Sequence, residues 1–340
     1  MNLFYMSFII IAAYSFDLRK RYSKDASKLF LFFIYIILLF NIIMLQTLPD
    51  LKNYQTIYEK YMYEGKIDNH VEIGYMLFNR IFADLSFPFH VFRCVLIIFS
   101  CALFFNGIIE LSECLSISAL YFYTCIFVYS YLIQIRTGLG LSVFVGIGLP
   151  AYYRKKNHIL ILSILIAMTF HLSMIALVCP FLLCKLPKTH RIKIFFTILV
   201  IGLLFINVFD LFNSIVKTFF GQTKLIAYIN ESGARNNGLS TRDIVNFIFC
   251  IIFSCYTNEN EFDNLMFWSF FCGYVFKILF RNFFEIGVRF NLLFSYSLIF
   301  LMPLLYKQKP KYTIYFIYAF AFVNFKQWLA AGNIIKNGNF

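Results

Sequence analysis

The sequence predicts an all-α, polytopic transmembrane protein with about 12 membrane segments, and three observations carry that expectation. The 340 residues are 61% hydrophobic and 14% charged, whereas soluble domains hold about 45–50% apolar and about 25% charged residues. The apolar residues, 46 Phe among them, come in repeated runs of the length needed to cross about 30 Å of hydrocarbon. When those runs are folded back and forth, the densest Lys and Arg clusters fall on one side: Arg19-Lys20-Arg21 with Lys24 and Lys28, Arg154-Lys155-Lys156, 185–193 and 307–311. Positively charged loops mark the cytoplasmic face. The net charge of +13 is then an inside excess facing anionic lipid headgroups, and it gives no ground for a nucleic-acid partner.

Residues 1–16 are apolar and the basic run follows them, so they read as a first span with its N-terminus outside, not as a cleavable signal. The inside loop 17–28 leads to a second span, about 29–46. Residues 47–88 form the first outer loop. Within it, 75–85 read as a short helix whose Met76, Leu77, Phe78, Ile81 and Phe82 make one broad apolar face, suited to lying along the outer interface. The third span, about 89–108, runs in to a loop that is acidic at Glu110 and Glu113. The fourth, about 117–135, runs out and ends at Arg136. The fifth, about 138–153, carries Gly138, Gly140, Gly146 and Gly148. Small residues let helix backbones approach closely, so this span is expected at the packed centre.

The apolar run 159–184 would make one helix of about 39 Å, but a single crossing would put the basic stretch 185–193 outside. Two short arms meeting at Phe170-His171-Leu172-Ser173 resolve the conflict, with His171 at the outward tip of a hairpin. Next come a span at about 194–212, the second outer loop 213–243, and spans at about 244–257 and 265–280 around an acidic inside segment, 258–264. The outward stretch 281–289 and spans at about 290–306 and 312–330 complete the chain. Residues 1–340 read as a single integral membrane domain. The nine Cys are scattered, mostly within apolar runs, with no C-x-x-C pair. They behave as small apolar residues, with neither disulfide nor metal site expected.

Charge held at the outer boundary against the positive-inside bias needs a reason, and function is the usual one. Arg136 is either a snorkelling helix anchor or a planar fork for phosphate oxygens, as on a lipid diphosphate. His171 is either a satisfied core residue or a group for proton transfer to a hydroxyl. Glu72 opens the interfacial helix, where an acidic residue is unremarkable. Arg281, Glu285 and Arg289 are spaced as an i, i+4, i+8 ladder: an ion-pair row or a second basic site. Arg80 reads as snorkelling, and Arg93, inside the third span, calls for a carboxylate partner.

Glu72-x-Gly74-Tyr75 before an amphipathic helix, Arg136 before a small-residue span, His171-x-Ser173 in an apolar run, and Arg289 before a Phe- and Tyr-rich span follow in an order that resembles the EpsG family of Wzy-like bacterial polysaccharide polymerases. The resemblance covers about 50–302. Asp50 with Tyr54 and Tyr58 is similar to the family's spacing after the second span. Gln46 and Thr47 stand where the family often has an Arg. The resemblance implies a metal-independent glycosyltransferase of the bacterial cytoplasmic membrane, without cofactor. It would move a glycan from undecaprenyl diphosphate onto a lipid-linked repeat unit on the outer face, for an O-antigen, capsule or exopolysaccharide. The implied catalytic residues are His171 on the acceptor side, Glu72 as base or orienter, and Arg136. Arg136 and Arg289, with Arg281, would bind the diphosphate, and Tyr75 and Ser173 would line the substrate. Arginine clamps neutralise a diphosphate leaving group without a metal. Membrane lipids, a chain-length regulator and a flippase are the implied partners.

A transporter or flippase of lipid-linked oligosaccharide is the main rival, since such proteins also carry broken helices and intramembrane charge. Against it, no repeat relates the two halves, and the charges gather on one face instead of the midplane. An acyltransferase is a third reading, which would make His171 essential and the arginines dispensable.

Overall fold

In a computed structural model of the protein, the described residues are 7–13, 15, 29, 31–38, 50–65, 71–203, 241–257, 260–280 and 284–336. The regular elements among them are all helical. The chain divides into two compact units, Met1–Ala176 with Leu298–Phe340, and Leu177–Ser297.

The outer loop expected at 47–88 holds two helices where the sequence reading placed one. Helix α1 (Leu51–Glu64) buries Leu51, Tyr54 and Tyr58 and ends at Gly65 in the left-handed region, φ 64°. Its apolar face is made largely of tyrosine, which is why it read as polar loop. Helix α2 (Ile73–Asp84) buries Tyr75, Asn79 and Ala83. This corrects the expected face: Phe78 and Phe82 pack partly onto the core, while Ile73, Leu77 and Ile81 remain exposed at four-residue spacing. The Tyr58 hydroxyl donates to the Phe87 carbonyl at 2.6 Å, tying α1 to the link that follows α2.

Helix α3 (Phe89–Leu111) starts after Pro88, as expected for the third span. Helix α4 (Leu115–Tyr121) continues into a π-helical stretch, Phe122–Ile133, and the chain reverses at Gln134. Helix α5 (Ile135–Val143), a π turn at Phe144–Gly148 and α6 (Leu149–Tyr153) form one helical run. This Gly-rich run is 78% buried across its span window, against 44% for α3, so it is the packed centre. A Cβ on Gly107 would strike the Val145 carbonyl, and one on Gly146 the Leu103 carbonyl. The two backbones touch where the helices cross.

Helix α7 (Asn157–Phe170) stops at His171, which is extended (φ −158°, ψ 119°). A 3-10 segment, Leu172–Leu177, and α8 (Val178–Leu183) follow. The break falls at the residue expected for the hairpin tip, and its two arms belong to different units.

In the second unit, α9 (His190–Leu203), α10 (Thr241–Tyr256), α11 (Glu261–Leu279) and α12 (Phe284–Leu293) follow. The buried Lys193 ammonium donates to the Thr257 carbonyl and hydroxyl, at 2.8 and 2.9 Å, which satisfies the end of α10. Lys188 pairs with Glu261 at 3.5 Å, so the acidic segment beginning at Asn260 lies against the basic stretch. Helix α13 (Tyr296–Gln308) begins after a turn at Phe294-Ser295, a break inside the span expected at 290–306. Helix α14 (Pro310–Lys336) is the last.

In the first unit the two ends of the bundle differ in chemistry. At one end Arg154 pairs with Glu110 at 2.7 Å and Lys307 with Glu113 at 2.9 Å. The acidic 110–113 turn is thus the counter-charge to two basic clusters. Helices α3 and α5–α6 run toward this end, and α7 runs back from it.

By length and composition, two described helical runs, Phe89–Leu111 and Ile135–Tyr153, are long and apolar enough to cross a membrane, or three if Ile286–Leu293 and Tyr296–Gln308 make one span. Shorter apolar helices, such as Asn157–Phe170 and Asp243–Tyr256, fall at other expected spans without reaching that length. The basic loop 17–28, most of the second outer loop 213–243, Arg281 and the side chain of Glu285 lie outside the described residues.

Candidate functional site

At the other end of the first unit, three residues are fixed by their apolar neighbours. Val71, Ile135 and Phe170 are buried in one cluster with Tyr54, Tyr58, Tyr75, Phe92, Leu96 and Leu139. Each directly precedes a polar residue: Glu72, Arg136 and His171. Burying the apolar member holds the polar member at the rim, where the Glu72, Arg136 and His171 side chains keep 21%, 26% and 24% of their surface. Charges at that depth reach solvent yet are screened less than fully exposed ones.

Glu72 occupies the N-cap of α2 in extended conformation, but its side chain does not cap the helix. It turns outward instead. Oε2 accepts from Arg136 Nη1, and Oε1 lies 3.0 Å from His171 Nδ1. One carboxylate therefore bridges two groups that are 64 and 99 residues away in sequence. Gly74 makes the reach possible. A Cβ there would lie 2.5 Å from Thr169 Oγ1 and 2.8 Å from the Thr169 carbonyl oxygen, so only glycine lets the first turn of α2 rest on the last turn of α7.

Arg136 opens α5 just after the reversal. The Gln134 N–H donates to the Tyr129 carbonyl at 2.8 Å and the Gly138 N–H to the Gln134 carbonyl at 3.1 Å, which closes the turn. Its guanidinium lies over the Tyr54 ring, 5.7 Å from the centroid, a cation–π geometry. Tyr54 in turn meets Tyr75 edge-on at 5.6 Å. The charge thus rests on a buried ring that is itself packed against a second buried ring.

Burial by itself raises the Glu72 carboxyl. The His171 hydrogen bond and then the Arg136 charge outweigh that and bring it down to about 2. Burial raises the Tyr54 phenol, against the opposing pull of Arg136, and Asp50 adds to the rise. The site therefore contains an ionised carboxylate, a permanent cation and an imidazole whose Nδ1 edge is engaged. A guanidinium at a half-open rim can receive an anion, and an oriented imidazole can take a proton from a hydroxyl.

Of the residues expected from sequence, Glu72, Arg136 and His171 come together. Tyr75 has no exposed surface and packs edge-on against Tyr54, so it supports the site and does not line the substrate as expected. Ser173 is half-buried in the 3-10 segment, two residues past His171. Arg289 is half-buried on α12 in the second unit. Arg93 is buried in α3, and the exposed Arg80 approaches Asp84 at 3.7 Å. The sequence reading set Tyr54 apart as a spacing similarity but missed its contact with Arg136. The recurrence Leu51, Tyr54, Tyr58 is a helical period that would have placed it on one buried face. Among the described residues, no group of three His, Cys, Asp or Glu is placed to hold a metal ion.

A family model described as the EpsG family matches residues 28–337. No curated protein and no solved structure matches the chain.

Proposed function

The chain belongs to the EpsG family, and from that premise we propose that it is a Wzy-like polysaccharide polymerase, a multi-pass enzyme of the bacterial cytoplasmic membrane. It transfers a glycan from undecaprenyl diphosphate to a lipid-linked repeat unit on the outer face. The anomeric carbon–oxygen bond to the diphosphate breaks, the acceptor hydroxyl forms the new glycosidic bond, and undecaprenyl diphosphate leaves. About twelve membrane segments and a metal-independent reaction belong to the same reading. Membrane lipids, a flippase and a chain-length regulator are its expected partners.

The observation that carries this reading is the Glu72 bridge between Arg136 and His171 at the rim of the first unit. Transfer from a diphosphate needs charge neutralisation on the leaving group and a proton acceptor for the incoming hydroxyl. Arg136 answers the first need and the Glu72–His171 pair the second. Arg289 and Arg281 are further cations for the diphosphate on the ground of sequence order, with Ser173 a substrate contact.

Purified protein in detergent, given only lipid-linked repeat units with neither metal nor nucleotide, builds a ladder of longer glycans on this reading. The helix break at His171 and the Gly-rich central run also suit a transporter or flippase. A protein that makes no ladder but moves lipid-linked units across sealed vesicles would hand the assignment to that reading.

A further inference from the structure

We infer that Glu72 is a positioning residue: it holds His171 in the tautomer whose Nε2 takes the proton of the acceptor hydroxyl, and it does not act as the base itself. This rests on the polymerase reading and divides the labour within that site.

A general base needs an oxygen or nitrogen lone pair open to the incoming hydroxyl at hydrogen-bond distance. Both Glu72 oxygens already accept from inside the protein, Oε2 from Arg136 and Oε1 from the imidazole. The same contacts bring the carboxyl down to about 2, which makes it a weak proton acceptor. The imidazole has the opposite arrangement. A neutral ring that donates Nδ1–H to a carboxylate keeps its lone pair on Nε2, and the partner of one ring nitrogen sets the state of the other. The backbone of His171 is fixed: its N–H donates to the Ala167 carbonyl at 3.1 Å and its own carbonyl accepts from Met174 N–H at 3.0 Å. The ring itself is aimed by the Glu72 contact. Among the described residues, the groups that face this centre are Glu72 from α2, Arg136 from α5 and the Tyr54 phenol from α1. Arg136 is a permanent cation, and burial raises the Tyr54 phenol.

The test measures kcat and KM against pH for full-length protein in detergent with undecaprenyl-diphosphate-linked repeat units. Glu72→Gln keeps the shape and an acceptor oxygen but loses the charge. It should lower kcat roughly 10–100-fold, the scale on which losing an orienting partner acts. The acidic limb of kcat/KM should also move when that carboxylate's charge is lost. Glu72→Asp should restore part of the rate, and His171→Gln should lose the limb altogether. The inference is overturned if Glu72→Gln is dead at every pH while His171→Gln keeps the limb, which would make Glu72 the base. An unchanged rate and limb in Glu72→Gln overturns it too. A readout independent of turnover is 15N NMR of histidine-labelled protein, with the His171 signal identified by its loss in His171→Gln. The wild type should show Nδ1 protonated and Nε2 bare, and Glu72→Leu, which has no acceptor oxygen, should revert toward Nε2–H. Nε2–H in the wild type defeats the inference even where a glycan ladder forms. A missing ladder defeats the polymerase reading and leaves the tautomer result standing.

Discussion

Arg136 begins the central Gly-rich run and Arg154 directly follows its end, and each is paired with a glutamate. At the Arg154 end, the arginine side chain keeps 57% of its surface, its partner is Glu110, and Lys155 and Lys156 beside it are exposed. At the Arg136 end the arginine keeps 26%, its carboxylate also holds His171, and an aromatic ring lies beneath the guanidinium. Two chemically identical pairs on one helical run thus serve different purposes. With its arginine largely exposed, a pair of this kind contributes about 0–1 kcal/mol and ties the end of α3 to the end of α6. The half-buried pair is part of a three-member network on a rigid floor. Charge type distinguishes neither; the second partner and the surface underneath do.

The largest effect expected from this contrast is on the arginines themselves. Arg136→Ala should lower polymerisation roughly 100–1,000-fold, on the scale of losing a preorganised charge-stabilising donor. Arg136→Lys should fail nearly as badly, since lysine keeps the charge and loses the planar fork. Arg154→Ala should leave the rate within about twofold, consistent with the small worth of exposed pairs. Ladder assays normalised to membrane protein level measure all three, and an Arg154 variant as damaged as the Arg136 variant would erase the distinction.

Gly74→Val comes next. The added side chain must displace either α2 or the end of α7, separating Glu72 from His171 without touching a charged group. A loss of roughly tenfold or more follows if that hydrogen bond orients the ring; kinetics on the variant, with its helical content checked by circular dichroism, gives the answer. A smaller effect is expected at Tyr54. Tyr54→Leu removes the ring beneath Arg136 and should cost about 0.5–2 kcal/mol of the Arg136-dependent function, while Tyr54→Phe should keep most of it. Equal loss in the two variants would show that the phenol hydroxyl, not the ring face, matters.

The smallest effect is on stability against pH. The Glu72 carboxyl lies below its ordinary value of 4.5, at about 2, in the folded protein. Its contribution is therefore fully present above about 4.5 and is lost as pH falls toward about 2. Glu72→Gln should flatten that part of the thermal-unfolding profile of the detergent-solubilised protein. An unaltered acid slope would mean that the bridge adds nothing to the fold.

Local features were legible in the sequence because they depend on near neighbours. The start of α3 after Pro88, the central Gly-rich run and the break at His171 follow from periodicity, small residues and the conflict with the charge rule. Arg136 and His171 stood out because polar groups at span ends are costly, whereas Glu72, unremarkable at a helix start, entered only through the family resemblance. Their connection was not legible, since it depends on how α2 rests on α7 through Gly74 and Thr169. The face of α2 was misread for a related reason. Its apolar residues surround much of the helix, and the packing of Phe78 and Phe82 decides which side is covered. The acidic turn at Glu110 and Glu113 counted against the topology in one dimension. In three it neutralises Arg154 and Lys307, and Glu261 does the same for Lys188.

The carboxylate bridge also has a consequence for how the protein is made. Closing chain loops of 64 and 99 residues adds little entropic cost for the extra length, because that cost grows only logarithmically. Timing is the stricter condition. During synthesis Glu72 emerges long before Arg136, and Arg136 before His171, so each passes a period without the partner it will have. Water at the membrane surface can serve Glu72 in that interval, whereas Arg136 arrives between two apolar runs. Arg136 is thus the first to find its carboxylate waiting, and His171 the last to join. The centre becomes complete only when α7 docks, so a chain inserted as far as α5 already holds the Arg136–Glu72 pair and still lacks its imidazole.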